Sequence, residues 1–445
     1  MAEFNELKRA LRRWVHEAVA HLTSGPEPDT TQDLRRWQRD SDGVFRERER
    51  RARIWSHSQL EGLQQLPSWQ AVEQALQDDQ RLRAQLNQLV GTAYGSSQLE
   101  VERVGRMALP LPDEIGDLNA VFKRRYGELD RFLAAQEIEH VIVWSLPGLT
   151  SSKFPIKLED GLGLDLMSDG ELMAALNTGV LQRVFPNLPI LPQDEGKQAC
   201  LRYRFRLPKV IGGGGQNAAQ EVQAVEERAN DIQDTLEQVL ALLFANPVAI
   251  AGRVSFAVER TLLAGSVTYQ PVPLPPAQLF RQLHLDTKAR AEVVRTWRQL
   301  RRPGLHKALG LALRRLSYQA HRQRVEDELV DILIAAEALY LSDVGFTELS
   351  FRLALRAAAL CNPQKLSMTR RNVFELMRSA YDVRSKVVHG STPDPSALRV
   401  SGVQVSLPDF VQAVEEVVRQ GLRAALQRAM RGKWPPDWNG MTLPK

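Results

Sequence analysis

The sequence predicts an α+β fold, in which a mixed α/β N-terminal and middle region is followed by an all-α helical bundle. Two patterns predict it. Apolar residues alternate or run continuously, as in strands, within residues 96–275, and they recur at helical spacing from residue 277 onward. A chain of 445 residues is long enough for two or three domains. We divide it into residues 1–95, 96–275 and 276–445.

Residues 1–95 are predicted to form helices separated by Gly- and Pro-containing stretches. The tetrapeptide Leu-Arg-Arg-Trp occurs at 11–14 and again at 34–37, and a basic run at 46–53 leads to Trp55. Arginine interleaved with tryptophan can hold single-stranded nucleic acid by charge and stacking. The favoured interpretation is that the tryptophans pack against helices while the arginines reach solvent or pair with neighbouring acids.

The middle region, residues 96–275, is predicted to mix strands with helices. Strands are expected at 140–144, at 200–207 and within 248–269, and helices at 116–136, 169–177 and 217–244. Four consecutive glycines at 212–215 are not followed by the Lys-Ser or Lys-Thr of a phosphate-binding loop. They are interpreted as a flexible connection. We expect this region to act as a sensor or to select a substrate.

A proline-rich stretch at 271–276 is the clearest linker, and helical patterns follow it almost without interruption. Four or five antiparallel helices joined by short loops predict a bundle. The helices are expected at 277–300, 304–320, 324–342, 346–361, 369–389 and 408–431.

The net charge of +5 is small for this length, but its distribution is uneven. Residues 281–324 contain twelve Lys or Arg against two acids, and residues 325–348 contain seven acids and no Lys or Arg. The basic block suits a phosphate backbone. A solvated helix face explains it equally well. If the block binds RNA, the candidate residues are Arg314, Arg315, Arg322 and Arg324, together with Lys386.

Cysteine usage and hydropathy predict a cytoplasmic protein without a membrane partner. Cys200 and Cys361 are far apart and form no C-x-x-C pair, so neither a disulfide framework nor a zinc site is indicated. The N-terminus has acids where a signal peptide has basic and apolar residues, and no apolar run reaches the length of a membrane span. The histidines show no metal-ligand spacing, and no cofactor is expected.

Residues 381–390 contain the one pair of side chains whose identity and spacing suggest a reaction. They continue an amphipathic helix that Gly390 is expected to cap in a left-handed conformation, before Pro393 and Pro395. Arg384 and His389 lie five positions apart, which is about 140° around an ideal helix. Their pairing therefore needs an unwound last turn or a second subunit.

An Arg and a His separated by four residues form the signature of the HEPN superfamily. With its neighbours at 326–343 and 348–358, the 381–390 stretch resembles the Apea-like branch of that superfamily in order and spacing, over about residues 304–430. The resemblance implies a helical domain that forms a homodimer and cleaves RNA without a metal ion. It further implies a conditional antiphage, abortive-infection or toxin-like effector, and it allows a regulatory protein or a phage-derived trigger as a partner.

The chemistry agrees with these residue types. RNA can be cut when its ribose 2′-OH attacks the adjacent phosphate. A histidine can then act as base or acid, and an arginine matches the phosphate oxygens with its planar fork. Arg384 and His389 are thus the catalytic candidates. Two alternatives stay open: a helix C-terminus that favours Arg and His through its dipole without catalysis, and a noncatalytic helical module that binds RNA or protein.

Three residues are candidates for supporting roles: Ser385, Asp382 and Glu337. Ser385 follows the motif arginine, where the superfamily commonly has Asn, Asp or His. Glu337 is expected on the apolar side of its helix, where a carboxylate needs a cationic partner. A pairing with Arg384 would orient the guanidinium. A structural pairing with Arg352 or Arg356 is the favoured prediction.

Overall fold

The computed structural model describes residues 4–25, 31–39, 45–53, 55–93, 95–168, 171, 198–212, 216–257, 268–271, 281–305, 307–343 and 348–442. Helices and several small sheets confirm the predicted α+β class. The chain forms two compact units: unit 1, residues 1–144, 161–229 and 252–271, and unit 2, residues 145–160, 230–251 and 272–445. Segment 145–160 and the stretch 230–251 therefore belong with the bundle, unlike in the three-part division that the sequence suggested.

The helical part of unit 1 is built on a long first helix, α1 (Asn5–Ser24), whose apolar stripe is buried. Trp14 lies on this stripe, 4.9 Å from the ring of Trp69, and its indole N–H donates to the carbonyl of Leu63. Trp55 is also buried and donates to Pro110. The packing interpretation is thus confirmed for these tryptophans. Further helices that the structure describes in unit 1 include α2 (His57–Leu60), α3 (Trp69–Asp78), α4 (Gln80–Arg83), α5 (Val101–Ala108) and α6 (Leu118–Ala134).

The prediction that residues 1–95 are helical is wrong at two places. Strands β1 (Thr31–Arg39) and β2 (Phe45–Arg53) form an antiparallel hairpin, with Thr31 opposite Arg53. The second Leu-Arg-Arg-Trp tetrapeptide is therefore in a strand, although the first is in a helix. Strands β3 (Leu89–Thr92) and β4 (Gly95–Gln98) also lie in this region, in a sheet with β10 (Val210–Ile211).

The predicted strands of the middle region are present. Strand β5 (Glu137–Ser145) lies between β11 (Gly252–Ala257) and β9 (Ala199–Pro208), and the outer neighbours are β12 (Thr268–Pro271) and β8 (Leu162–Leu166). Strands β8 and β9 are antiparallel, with Leu162 opposite Tyr203. The predicted helices at 116–136 and 217–244 correspond to α6 and to α7 (Gln216–Leu243). The predicted helix at 169–177, glycines 213–215 and the linker after residue 271 lie outside the described residues, except Glu171.

Unit 2 contains the predicted helical bundle around a continuous apolar core. The central helix α10 (Val325–Tyr340) packs against α9 (Lys307–Tyr318), α11 (Leu349–Leu360), α13 (Arg370–Val388) and α14 (Leu407–Ala429), and most of its apolar side chains are fully buried. The bundle helices are α8 (Thr287–Leu300), α9 (Lys307–Tyr318), α10, α11 (Leu349–Leu360), α12 (Pro363–Leu366), α13 (Arg370–Val388), α14 (Leu407–Ala429) and α15 (Trp438–Thr442).

The N-terminal part of the predicted helix 277–300 is not helical where the structure describes it. Strand β13 (Leu283–Leu285) pairs in parallel with β6 (Leu149–Ser151), and helix α8 begins only after Asp286, whose carboxylate accepts from the N–H of Ala289. Strand β7 (Ile156–Glu159) packs against α8. Unit 2 is completed by a short hairpin, β14 (Arg399–Val400) with β15 (Val403–Gln404). Among the described residues, no helix has the length and hydrophobicity that a bilayer crossing requires.

Candidate functional site

Helix α13 carries both residues of the motif, and its two ends are set by local hydrogen bonds. At the start, the hydroxyl of Thr369 accepts from the N–H of Asn372 at 3.1 Å. At the end, Gly390 has φ +75° and donates to the carbonyl of Val387, while the N–H of Ser391 donates to Lys386. This is a Schellman cap. The predicted left-handed Gly390 is therefore confirmed.

Arg384 is held in a defined position on α13 by Glu337 on the neighbouring helix α10. One of its terminal nitrogens lies 3.2 Å from the Glu337 carboxylate, and about a quarter of each side chain is exposed. The guanidinium carbon lies 6.0 Å from the centre of the Tyr381 ring. Its Nε is buried and makes no hydrogen bond to the described part of the chain. The guanidinium thus keeps donor capacity for a further acceptor.

The favoured prediction for Glu337 was wrong, because its observed partner is Arg384. Arg356 instead contacts Asp343 at 2.5 Å, donates to the carbonyl of Tyr340 and stacks over Trp438. Neighbouring helices bring Glu337 and Arg384 together, although 46 residues separate them in the chain. The orienting role for Glu337 is the one that the geometry supports.

Tyr381 is a member of this cluster that was not singled out from the sequence. Its hydroxyl lies close to the Glu337 carboxylate. Burial raises the pKa of Tyr381, and the negative charge of Glu337 raises it further. The tyrosine therefore keeps its proton and supports the carboxylate that orients Arg384. Its position three residues before Arg384 on a helix was the available signal.

His389 follows the last residue of α13 and is exposed. Its backbone (φ −87°, ψ 11°) still donates to the carbonyl of Ser385 at 3.2 Å, so the final turn is intact. The separation of about 140° from Arg384 therefore persists within one chain. An unwound last turn, which was one of two routes to a pairing, is excluded by this geometry.

The remaining supporting candidates lie on the same helix. Ser385, Asp382 and Lys386 are all exposed. The carbonyls of Ser385 and Lys386 accept hydrogen bonds in the helix end, while their side chains face solvent. These positions leave the side chains accessible to a ligand or a second chain.

The structure separates the predicted RNA-binding arginines into two groups. Arg315 and Arg322 contact the buried carboxylate of Asp331 at 3.0 and 2.6 Å. Because Asp331 is almost completely buried, these two cations neutralise a charge inside the bundle. For Arg315 and Arg322 a structural role is thus observed. Arg314 and Arg324 are exposed.

An apolar stripe runs along α13 beside Arg384. Phe374, Tyr381 and Val388 follow at intervals of seven residues and lie on one face of the helix. Val388 is 58% exposed, and Phe351 on α11 is 47% exposed and packs edge-to-face on Phe374 at 5.6 Å. Large side chains with this exposure are typical of a surface that contacts another molecule.

The site thus offers an oriented guanidinium for an anion and an imidazole at the end of the same helix for proton transfer. The described residues include no cluster of three or more His, Cys, Asp or Glu side chains suited to a metal ion. No family model, curated protein or solved structure matches the chain.

Proposed function

We propose that this protein is a metal-independent endoribonuclease of the HEPN type, with Arg384 and His389 as its catalytic residues. The observation that carries the proposal is the oriented, half-buried guanidinium of Arg384 on the helix whose end presents an exposed His389. Glu337 and Tyr381 position the guanidinium. The residue pattern of 381–390 adds the resemblance to the Apea-like branch.

In the proposed reaction the ribose 2′ oxygen forms a bond to phosphorus while the bond from phosphorus to the 5′ oxygen breaks. One imidazole accepts the 2′ proton, and a second imidazole donates a proton to the leaving 5′ oxygen. Arg384 stabilises the charge that gathers on the non-bridging oxygens. The products are a 2′,3′-cyclic phosphate and a 5′-hydroxyl.

A homodimer completes the proposed site. Since α13 is intact, Arg384 and His389 of one chain point about 140° apart, so a second copy supplies the partner for each. The exposed Val388 lies one helical turn after Arg384, and with Phe351 it provides the apolar surface that such a contact needs. A two-fold axis beside α13 would bring two histidines to one cleft.

The first test is cleavage of total RNA and tRNA in EDTA by the wild type, Arg384→Ala and His389→Ala. We expect cyclic phosphate ends from the wild type alone, with fold and RNA affinity retained in both variants. Cleavage that persists in the variants, or products with 3′-hydroxyl ends, contradicts the assignment. RNA binding without any cleavage favours the alternative, a noncatalytic helical binding module.

The second test asks whether the site is shared between copies. Mixing equal amounts of wild type and His389→Ala, with subunit exchange, should leave about a quarter of the all-wild-type activity, because a quarter of the dimers keep both imidazoles, whereas an unshared site would leave about half. Val388→Asp should abolish dimers in light scattering. The matched control is Val403→Asp, at a more exposed valine on β15. Dimers that survive Val388→Asp would place the contact elsewhere.

The proposal extends to the biological role. Unit 1 would act as the sensor, substrate selector or partner platform that releases the nuclease, as expected of a conditional antiphage effector in the cytoplasm. A trigger would then act on unit 1, and cleavage would depend on unit 2.

A further inference from the structure

An open groove runs along helix α8 in unit 2, opposite strand β7, with a volume of about 620 Å³. This is within the range of sites that bind small molecules. None of the residues that line it in the described structure is an Asp or a Glu. Five of them are cations: Lys157, Arg290, Arg295, Arg298 and Arg302.

The spacing of these residues follows from the helix. Ala291, Val294 and Arg298 recur every three or four positions, so they form one stripe facing the groove, and Arg302 follows the end of the helix. The opposite face is buried through Val293 and Trp297. At a rise of 1.5 Å per residue, Arg290 and Arg298 lie about 12 Å apart along the axis.

The groove is held in shape by contacts beneath it. The indole of Trp297 donates to the Glu159 carboxylate on β7 at 2.9 Å, and the Nε of Arg301 lies 3.3 Å from the same group. Arg301 also pairs with Asp231. These contacts tie α8 to β7, and they satisfy Glu159 without using any of the five groove cations. The cations are therefore presented on a rigid support.

The groove cations are poorly neutralised by the protein. Lys157 is 2.5 Å from Asp160 and Arg295 is 3.7 Å from Glu292, both at exposed positions, where an ion pair stabilises little. The guanidinium of Arg302 lies 3.9 Å from the sulfur of Met430, a weak acceptor. The Nε of Arg290 is buried and has no hydrogen-bond partner in the described structure. A bound anion would supply the missing acceptors.

A second cavity of about 310 Å³ continues the positive surface on the other side of α8. It shares Arg295 and Gln299 with the first and adds the exposed Lys365 and Arg431. Glu292 is the acid among its described lining residues. The two cavities together form a track across the helix that is longer than one small anion.

On the basis of the proposed ribonuclease function, we infer that this track binds the phosphate backbone of an RNA strand and guides it on unit 2. Four of the five cations in the larger groove are arginines, whose planar forks match phosphate oxygens. The span of about 12 Å exceeds the spacing of neighbouring phosphates, so these cations can contact more than one phosphate of a strand. The apolar floor from Ile156 and Val294 suits sugars and bases.

The inference is tested by binding of a fluorescein-labelled 2′-O-methyl RNA of about twelve nucleotides, in EDTA, by fluorescence anisotropy. This probe cannot be cleaved by 2′-OH attack, so the result is independent of Arg384 and His389 chemistry. The variant is Arg298→Gln with Arg302→Gln, both exposed. The control is Lys288→Gln, which removes an exposed cation of the same helix outside the groove.

We expect the double variant to bind at least about tenfold more weakly at 100 mM salt. The slope of the logarithm of the binding constant against the logarithm of the salt concentration should become shallower by about 1.4, since each single-strand phosphate contact contributes about 0.7. The control should match the wild type, and all proteins should melt alike. Unchanged affinity and slope in the double variant overturn the inference, even if RNA is cleaved. Competition by polyglutamate as strong as by RNA would show an acidic protein partner and overturn it too. Binding lost in the double variant, with no cleavage by the wild type, would support the groove and refute only the nuclease.

Discussion

Glu337→Gln tests whether the carboxylate positions Arg384 or only joins two helices. The carboxylate accepts from Arg384 at 3.2 Å and lies close to the Tyr381 hydroxyl. Glutamine keeps the shape and one acceptor oxygen but removes the charge. The guanidinium would then lose its ionic partner while its Nε stays buried without one in the described structure.

The expected magnitude follows from the distance and the exposure. Two unit charges 3.2 Å apart attract by about 5 kcal/mol at an effective dielectric constant of about 20. Desolvation of the two partly buried groups offsets much of this, which leaves about 1.5–3 kcal/mol for a hydrogen bond to a charged group. We therefore expect the unfolding free energy to fall by that amount. A displaced guanidinium should slow cleavage by about 10²-fold.

The assay combines urea unfolding, followed by circular dichroism, with single-turnover RNA cleavage. The matched control is Glu375→Gln on α13, the helix that carries Arg384, where the carboxylate accepts from Arg371 at 2.8 Å on an exposed surface. Exposed pairs contribute little, so this variant should unfold and cleave like the wild type.

A positioning role predicts a lower rate constant for the chemical step with nearly unchanged RNA affinity. Tyr381→Phe should lower the rate in the same direction but less, because it removes only the hydroxyl beside Glu337 and leaves the carboxylate in place. If Glu337→Gln loses stability but cleaves at the wild-type rate, the carboxylate only joins α10 to α13 and the positioning argument is refuted.

Three further changes probe the bundle. Burial raises the pKa of Glu328 from 4.5 to about 7, so its charge destabilises the fold as the pH rises through that range. Glu328→Gln should therefore stabilise the fold by about 1–3 kcal/mol at pH 8. A hydrogen bond to Glu237 raises the pKa of His321 above 6.5, so the pair stabilises the fold fully below pH 6.5. This stabilisation is lost as the pH rises through the pKa that His321 has in the folded protein. Gly421→Ala should destabilise by about 1–3 kcal/mol or more, since its Cβ would collide with the buried Tyr340 ring.

Thermal melting between pH 5 and pH 8 checks the first two changes. Glu328→Gln should melt at the same temperature as the wild type near pH 5. A gain in melting temperature of equal size at pH 5 and pH 8 would contradict the raised pKa of Glu328. His321→Gln should reduce the fall of the melting temperature above pH 6.5. If the melting temperature falls as steeply as in the wild type, the stabilising role of the His321–Glu237 pair is contradicted. For the glycine, Gly310→Ala is the control, because open space surrounds that position in α9 and alanine should stabilise there.

The sequence determined much of the bundle, because helix formation depends on neighbours in the chain. The expected helices at 324–342 and 369–389 agree with α10 and α13 within two residues at each end. Apolar periodicity and local caps, such as Thr369 and Gly390, set these boundaries. The presence of Arg384 and His389 on one capped helix could therefore be predicted.

Strands were harder to predict from the sequence where a segment is rich in charged residues and lacks apolar alternation. The hairpin of β1 and β2 was expected as helix, since its Arg- and Glu-rich segments have the residue types of a solvated helix. Strand pairing depends on a partner elsewhere in the chain, and a charged segment carries little pattern to reveal it. By contrast, the apolar strands β5 and β9 were predicted correctly.

Only the tertiary structure decided which charges meet. Of three candidate arginines, Arg384 is the one that pairs with Glu337. Arg315 and Arg322 pair with the buried Asp331. The sequence showed only a basic block at 281–324, and packing of α8 against β7 made part of that block the wall of a groove. Ion pairs join side chains from distant segments through helix register and packing. Residue type and local spacing carry no information on that register. The sequence could therefore suggest which side chains belong to a site, but not which of them meet.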